Sequence, residues 1–213
     1  FMLLYLRRLG AGWAASLFSG IAFSLSGFMI VWLGHPHANS AAVLPLLFYC
    51  VEAAVAAKNY RPWILLAGAY GAMVLGGHPP TILHISAALL VYFIFRLSER
   101  PRSERAAPAA RFVLALLAGL LIAGPQLLPY LEYYALSSTA DVNKALARWA
   151  IHLPLGSLTH LFMPLISGSP TRRFESLGLA LGLTGGADNF NERSGYVGAL
   201  TLFLAFAALL YRK

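Results

Sequence analysis

The chain has few charged residues and almost no cysteine. Only 11% of its 213 residues are charged, whereas a soluble domain carries about 25%. Cys50 is the only cysteine, so the sequence excludes an intrachain disulfide and contains no Cys-x-x-Cys motif. We interpret Cys50 as a small apolar residue buried in a helix rather than as a reactive thiol.

Acidic residues and targeting signals are also scarce. The sequence has 8 aspartates and glutamates against 16 lysines and arginines. Its beginning lacks the charged region and cleavage site of a signal peptide. We therefore interpret residues 1–8 as the inner end of a truncated helix, in a fragment with material missing upstream.

Hydrophobic residues are abundant: they make up 59% of the chain, and the mean hydropathy is +0.68. A transmembrane helix needs about 20 mostly apolar residues. Six stretches approach that length: 11–33, 41–57, 62–76, 81–97, about 108–123, and 196–211. We predict an all-α, polytopic integral membrane bundle of about six full transmembrane helices plus the truncated N-terminal one, in a single domain, 1–213. The short third and fourth stretches leave a re-entrant pair open as an alternative.

Eleven of the sixteen lysines and arginines lie before the first stretch, at every second break between the stretches, or after the last one. They are Arg7, Arg8, Lys58, Arg61, Arg96, Arg100, Arg102, Arg105, Arg111, Arg212 and Lys213. The other five, Lys144, Arg148, Arg172, Arg173 and Arg193, lie in a segment too long to follow the positive-inside rule strictly. Because positive loops stay on the cytoplasmic side, the pattern places these breaks inside the cell and a long loop, 126–195, outside it. The bases bracket apolar segments instead of alternating with exposed aromatics, which argues against nucleic acid and in favour of membrane lipid as a partner.

Polar side chains gather at the predicted outer ends of the helices, where they are typical of a binding site. The candidates are His35, His37, His78, Gln126, Glu132 and Arg193. Three histidines near one another suit an anionic lipid or phosphate. They could also bind a divalent metal, but no carboxylate or cysteine completes a ligand set, and no cofactor is evident. Histidines that are merely solvated at the interface are the simpler alternative.

Two glutamates have open roles. Glu132 lies among leucines and tyrosines, and it could act as a general base, accept a hydrogen bond from a substrate hydroxyl, or cap a helix. Glu52 falls inside a predicted span. We interpret it as a packing or ion-pair residue, with Lys58 or Arg61 as its expected partner.

A set of short motifs occurs in order along nearly the whole chain. They occupy residues 6–10, 22–28, 32–36, 44–46, 76–79, 126–132 and 191–198. Together they resemble the YfhO-type bacterial membrane proteins, a family similar to the GT-C superfamily of polytopic glycosyltransferases. The resemblance implies an enzyme of the bacterial cytoplasmic membrane that takes a sugar from a polyprenyl-phosphate carrier at the outer face. It also implies an acidic catalytic residue in the first outer loop, upstream of residue 1, so no catalytic residue is named here.

From the residues and the resemblance together we expect a GT-C-like membrane glycosyltransferase. Its donor would be a lipid-linked sugar, and its acceptor a cell-envelope glycan or polymer. We expect His35, His37 and His78 to face the phosphate, with Arg193 as a further candidate, and Gln126 and Glu132 to line the acceptor side. The alternatives are a transporter or flippase of lipid-linked envelope intermediates and a non-catalytic membrane scaffold.

Overall fold

The computed structural model describes residues 1–138, 155–169 and 190–211. All regular elements in these ranges are helices, so the all-α prediction is confirmed for them. The chain divides into two compact units. The first unit comprises Phe1–Gly20 and Gly34–Ala140, and the second comprises Ile21–Leu33 and Asp141–Lys213.

Ten α-helices lie in the described ranges. They are α1 (Met2–Arg8), α2 (Trp13–Ser24), α3 (Gly27–Val31), α4 (Pro36–Ala42), α5 (Leu44–Ala56), α6 (Arg61–Leu75), α7 (Pro79–Ser98), α8 (Ala106–Ile122), α9 (Gly124–Leu136) and α10 (Ala199–Leu210). Short 3₁₀ turns form at Arg102–Glu104, Leu155–Leu161 and Asn191–Arg193.

Three helical segments are long and apolar enough to cross a membrane: Pro36–Ala56, Pro79–Ser98 and Arg102–Ile122. They correspond to the second, fourth and fifth predicted spans. The first of them joins α4 and α5 through Val43, whose backbone is itself near-helical. The other apolar helices, α2, α6 and α10, have between 12 and 15 residues.

The prediction of one continuous span over residues 11–33 is wrong. The helix stops after Ser24, and Ser26 adopts an extended conformation before α3 begins. The reason is a tertiary contact inside the second unit. The Gly27 amide donates to the carbonyl of Tyr196 at 2.6 Å instead of to a carbonyl one turn earlier.

Two segments predicted as loops begin with helix. Residues 35–40 form the first turns of α4, because Pro36 occupies the first helical position, where its missing amide hydrogen costs nothing. The predicted outer loop 126–195 starts inside α9, which continues through Pro129 to Leu136. The remaining described parts of that loop, 155–169 and 190–195, contain only 3₁₀ turns and irregular chain.

Alternate helices of the first unit run in opposite directions, so that one end is basic and the other carries histidines. At the basic end Glu52, 6% exposed, pairs with Arg96, whose Nη2 donates to Oε2 at 2.9 Å and whose Nε lies 2.6 Å from Oε1. Tyr92 also donates to this carboxylate, and Tyr5 donates to Tyr92 at 3.0 Å. The expected partners of Glu52, Lys58 or Arg61, are therefore wrong: the partner lies in α7.

Helices α6 and α8 run parallel and touch through glycines. Small residues recur at four-residue spacing on both helices, Ala67 and Gly71 on α6, Ala115 and Gly119 on α8, and this pattern lets backbones approach closely. A Cβ at Gly119 would lie 2.8 Å from the Ala67 carbonyl oxygen. A Cβ at Gly71 would lie 2.9 Å from the side chain of Ile122.

Stacked rings extend this contact to α7. The Phe93 and Phe112 rings are stacked: the angle between their planes is 2°, and their centroids are 3.9 Å apart. The Trp63 ring meets Phe93 edge-on, with centroids 6.4 Å apart. These glycine contacts and aromatic rings between α6, α7 and α8 form one part of the core; in the rest, fully buried side chains come mainly from α5 and α6, among them Leu47, Cys50, Val51, Leu66 and Met73.

We predict that Gly71→Ala lowers the free energy of unfolding in detergent by about 1–3 kcal/mol, because the added methyl group overpacks the contact with α8. Gly68→Ala is the matched control. It lies on the same helix with nothing within 4 Å of the added Cβ, so better helix propensity should raise stability by up to about 1 kcal/mol. Equal effects of the two substitutions would show that α6 and α8 do not touch at Gly71.

Candidate functional site

The turn between α6 and α7 holds His78 in a defined position. Gly77 has φ +84°, a left-handed conformation that favours glycine, and Pro79 occupies the first helical position. His78 is the N-cap of α7, and its Nδ1 accepts from the Thr81 amide at 3.3 Å and lies 2.7 Å from Thr81 Oγ1. Since Nδ1 accepts, the ring proton lies on Nε2, which becomes the donor that His78 offers to a ligand.

The turn before α4 has the same backbone pattern. Gly34 has φ +82°, His35 is the extended N-cap residue, and Pro36 begins the helix. The two turns differ in one respect. Where His78 contacts Thr81 three positions later, the corresponding residue after His35 is Ala38, and the His35 side chain does not cap its own helix. The sequence contains this repeat as Gly-His-Pro at 34–36 and 77–79, a signal that the sequence analysis missed.

The two turns bring the predicted histidines together. The His37 and His78 rings stack with centroids 3.5 Å apart and planes 30° from parallel. The His35 ring meets His37 edge-on, with centroids 6.4 Å apart. We call His35, His37 and His78 the histidine cluster. In the described part of the chain, no group of three or more histidine, cysteine or acidic side chains is arranged to hold a metal ion.

Gln126 joins the cluster from a third element. A Cβ at Gly77 would lie 2.9 Å from Gln126 Nε2, so the amide of Gln126 lies directly against the turn that carries His78. Beside it, a Cβ at Gly76 would overlap Ser40 of α4. The close fit of α4, α6 and α9 thus places one amide and three imidazoles at the same end of the first unit.

The charge state of His78 follows from its surroundings. Burial lowers the pKa of this imidazole below the ordinary histidine value of 6.5, and the neighbouring His37 and His84 lower it further. At neutral pH His78 is therefore uncharged and acts as a hydrogen-bond donor through Nε2. A bound anion would favour the protonated form instead, because an opposite charge nearby stabilises the cation.

Glu132 is positioned differently from the cluster. It is exposed on α9, in an open groove of about 300 Å³ whose other lining residues are Pro129, Tyr133, Leu136 and Ser137. This groove is lined by α9 and the residue after it, and none of the three histidines reaches it. The structure therefore groups Gln126, but not Glu132, with the histidines.

Arg193 belongs to the second unit, where it is buried, at 5% exposure. Its Nη1 donates to Ser167 Oγ at 3.4 Å, and that oxygen lies 2.7 Å from Nε2 of His160, which is 2% exposed. Burial lowers the pKa of both Arg193 and His160, and the Arg193 charge adds to the effect on His160. The sequence analysis missed His160 and Ser167, because residues seven apart in irregular chain follow no recognisable pattern.

Comparison with known proteins gives no match. No family model, no curated protein and no solved structure is significantly similar to this chain. The functional argument therefore depends on the geometry of the described residues.

We predict that acidification destabilises the turn at His78. Its pKa is lower in the folded than in the unfolded chain, so the unfolded chain binds the proton more readily as the pH falls below about 6.5. Thermal unfolding in detergent should therefore occur at a lower temperature at about pH 5.5 than at about pH 7.5.

The control variants for this prediction are His78→Asn and His84→Gln. Asparagine is a good N-cap and does not titrate, so His78→Asn should reduce the pH dependence while retaining the cap. His84 is exposed on α7, and its replacement should change the pH dependence much less. An unchanged pH dependence in His78→Asn would contradict the assignment.

Proposed function

We propose that this chain belongs to a multi-pass protein of the bacterial cytoplasmic membrane, with its basic end facing the cytoplasm. The three long apolar segments support membrane insertion, and the shorter helices α2, α6 and α10 would complete a bundle of about six spans. Arginines at the end of α7 and in the following turn support the sidedness, because positive loops stay inside. The histidine cluster then lies at the outer surface.

Cysteine labelling tests this orientation directly, because Cys50 is fully buried and contributes little background. We expect a membrane-impermeant maleimide added to intact cells to label Ser138→Cys, which is exposed after α9. It should spare Ser103→Cys, which is exposed in the basic turn, until the cells are permeabilised. The reverse result would move the histidine cluster inside the cell and would contradict the proposal.

At the outer surface, the proposed activity is the transfer of a sugar from a polyprenyl-phosphate carrier to an envelope glycan or polymer. The observation that supports it is the convergence of three turns: His37 stacks on His78, and Gln126 lies against Gly77. Donor groups thus gather where the phosphate of a lipid carrier would lie, at the level of the headgroups. Histidine Nε2–H and the Gln126 amide suit phosphate oxygens as hydrogen-bond donors.

In the proposed reaction, an acceptor hydroxyl oxygen forms a bond to the anomeric carbon while the bond from that carbon to the carrier phosphate oxygen breaks. The hydroxyl proton passes to a carboxylate base, and the phosphate leaves with the electron pair. His78 and its neighbours would stabilise the charge that develops on the phosphate. No described carboxylate lies in the cluster, so the role proposed for these residues is to bind the donor and its leaving group.

A transporter or flippase of lipid-linked intermediates is the second candidate. Such a protein needs an ionisable path across the membrane. Glu52 is the acid within a described span, and its two carboxylate oxygens are occupied by Arg96 and Tyr92. This arrangement favours a static role for Glu52 and therefore favours the transferase.

The proposed site predicts how the protein binds undecaprenyl phosphate in detergent, with undecaprenol as the matched ligand that lacks the phosphate. The wild-type protein should bind the phosphate form more tightly. His78→Ala should weaken that preference about tenfold or more, because a hydrogen bond to a charged group contributes about 1.5–3 kcal/mol. His84→Ala, on the same helix, is the control and should retain the preference.

If His78→Ala and His84→Ala bind alike, the site is assigned wrongly. Turnover separates the two candidate functions, since transfer proceeds in detergent whereas transport requires a sealed compartment. Release of the carrier phosphate from labelled polyprenyl-phosphate sugars by solubilised protein would support the transferase. Activity confined to sealed vesicles would support the flippase.

A further inference from the structure

A groove of about 190 Å³ lies between α6 and α8, near the basic end of the first unit. Its lining residues are mostly apolar: Tyr60, Trp63, Ile64, Ala67, Arg111, Leu114, Ala115 and Ala118. Ile64 and Leu114 are highly exposed at its sides, as residues facing lipid chains would be. The groove is distinct from the histidine cluster, which lies at the other end of the same helices.

Arg111 is the one charged residue of this lining, and its donors are available. Its guanidinium carbon lies 4.8 Å from the centre of the Tyr60 ring, which holds it at the end of the groove. Three other arginines at this end donate to protein oxygens: Arg96 to Glu52, Arg100 to the Val55 carbonyl, and Arg105 to the Ser98 carbonyl. Arg61 and Arg102 have no such bond among the described residues, but neither lines the groove. In the part of the chain that the structure describes, Arg111 has neither an ion pair nor a hydrogen bond.

Trp63 places a fluorescent side chain at the groove. Its side chain lines the groove and is only 4% exposed. Its Nε1 is itself inaccessible to solvent, so the assignment of a ligand depends on Arg111 and the apolar lining.

We propose that this groove binds an anionic glycerophospholipid. Arg111 binds the phosphate, the lipid packs against the Trp63 side chain, and one acyl chain lies along Leu114 and Ala118. From Arg111 to Ala118 the helix rises about 10 Å, so a charged end and an apolar channel lie in the order that a phospholipid requires. The proposal needs α8 to lie in a membrane, and it does not depend on sugar transfer at the histidine cluster.

Tryptophan quenching by brominated lipids tests the groove in the whole chain. Purified protein in phosphatidylcholine nanodiscs receives increasing amounts of phosphatidylglycerol with brominated acyl chains. We expect a saturable component of quenching that Trp63→Phe removes, whereas quenching of the exposed Trp13 should persist without saturation. Arg111→Gln should weaken the apparent affinity about fivefold, the change expected for one arginine contact to an anionic lipid. Arg102→Gln removes an equal charge from the neighbouring turn and should leave the affinity unchanged.

Two results would overturn the proposal. Quenching by brominated phosphatidylcholine with the same affinity would mean that ordinary surrounding lipid fills the groove. Equal weakening by Arg102→Gln and Arg111→Gln would mean that diffuse charge attracts the lipid. His78→Ala should not affect this quenching, so failure of the proposed sugar-carrier site and failure of the lipid groove give different results.

Discussion

The close approach of α6 and α8 at Gly71 and Gly119 is the constraint on which the first unit depends. The two helices run parallel, so one contact fixes what lies at both of their ends. Beyond the carboxyl ends, it places Gln126 against Gly77 and thereby supports the turn that carries His78. Near the amino ends, it places Arg111 over Tyr60 and opens the apolar groove. Larger side chains at the two glycines would force the backbones apart and disturb the cluster and the groove together.

The Glu52–Arg96 pair makes the corresponding connection between α5 and α7. Moving a carboxylate to 6% exposure costs free energy, which Arg96 and the Tyr92 hydroxyl offset. Arg96 remains about one-third exposed, so its charge is partly solvated and the net stabilisation is modest. The larger consequence of the Glu52–Arg96 pair is that it fixes how the helices it joins lie relative to each other. Because α4 and α5 form one helical segment, and α5 is joined to α7 near their carboxyl ends, the first turn of α4 lies beside the first turn of α7, and His37 reaches His78.

Patterns along the sequence predicted features that depend on local composition. Apolar length predicted about six spans, and three of them are helices long and apolar enough to cross a membrane; the burial of Cys50 was also predicted. Features that depend on distant partners were not predictable in this way. Nothing near Glu52 indicates Arg96, which lies 44 positions later, and nothing in residues 11–33 indicates that Tyr196 accepts the Gly27 hydrogen bond. The histidines were identified as candidates, but their stacking requires the positions of α4 and α7, which only the packed structure provides.

The two ends of the first unit offer different chemistry to an anion. A guanidinium is a permanent cation, so Arg111 at the basic end suits a resident anionic lipid. The histidine cluster is different, because burial and mutual proximity lower the pKa of His78 and leave it neutral when no anion is bound. We expect an anion that binds there to favour the protonated form, so that binding and proton uptake would be coupled. A leaving phosphate gains charge as its bond to the sugar breaks, and a cluster that becomes cationic in response would favour that state over the bound donor. When no anion is bound, such a site carries little charge and attracts anions weakly. It would stabilise a phosphate most as that phosphate gains negative charge. This property suits transfer chemistry better than permanent retention of a ligand.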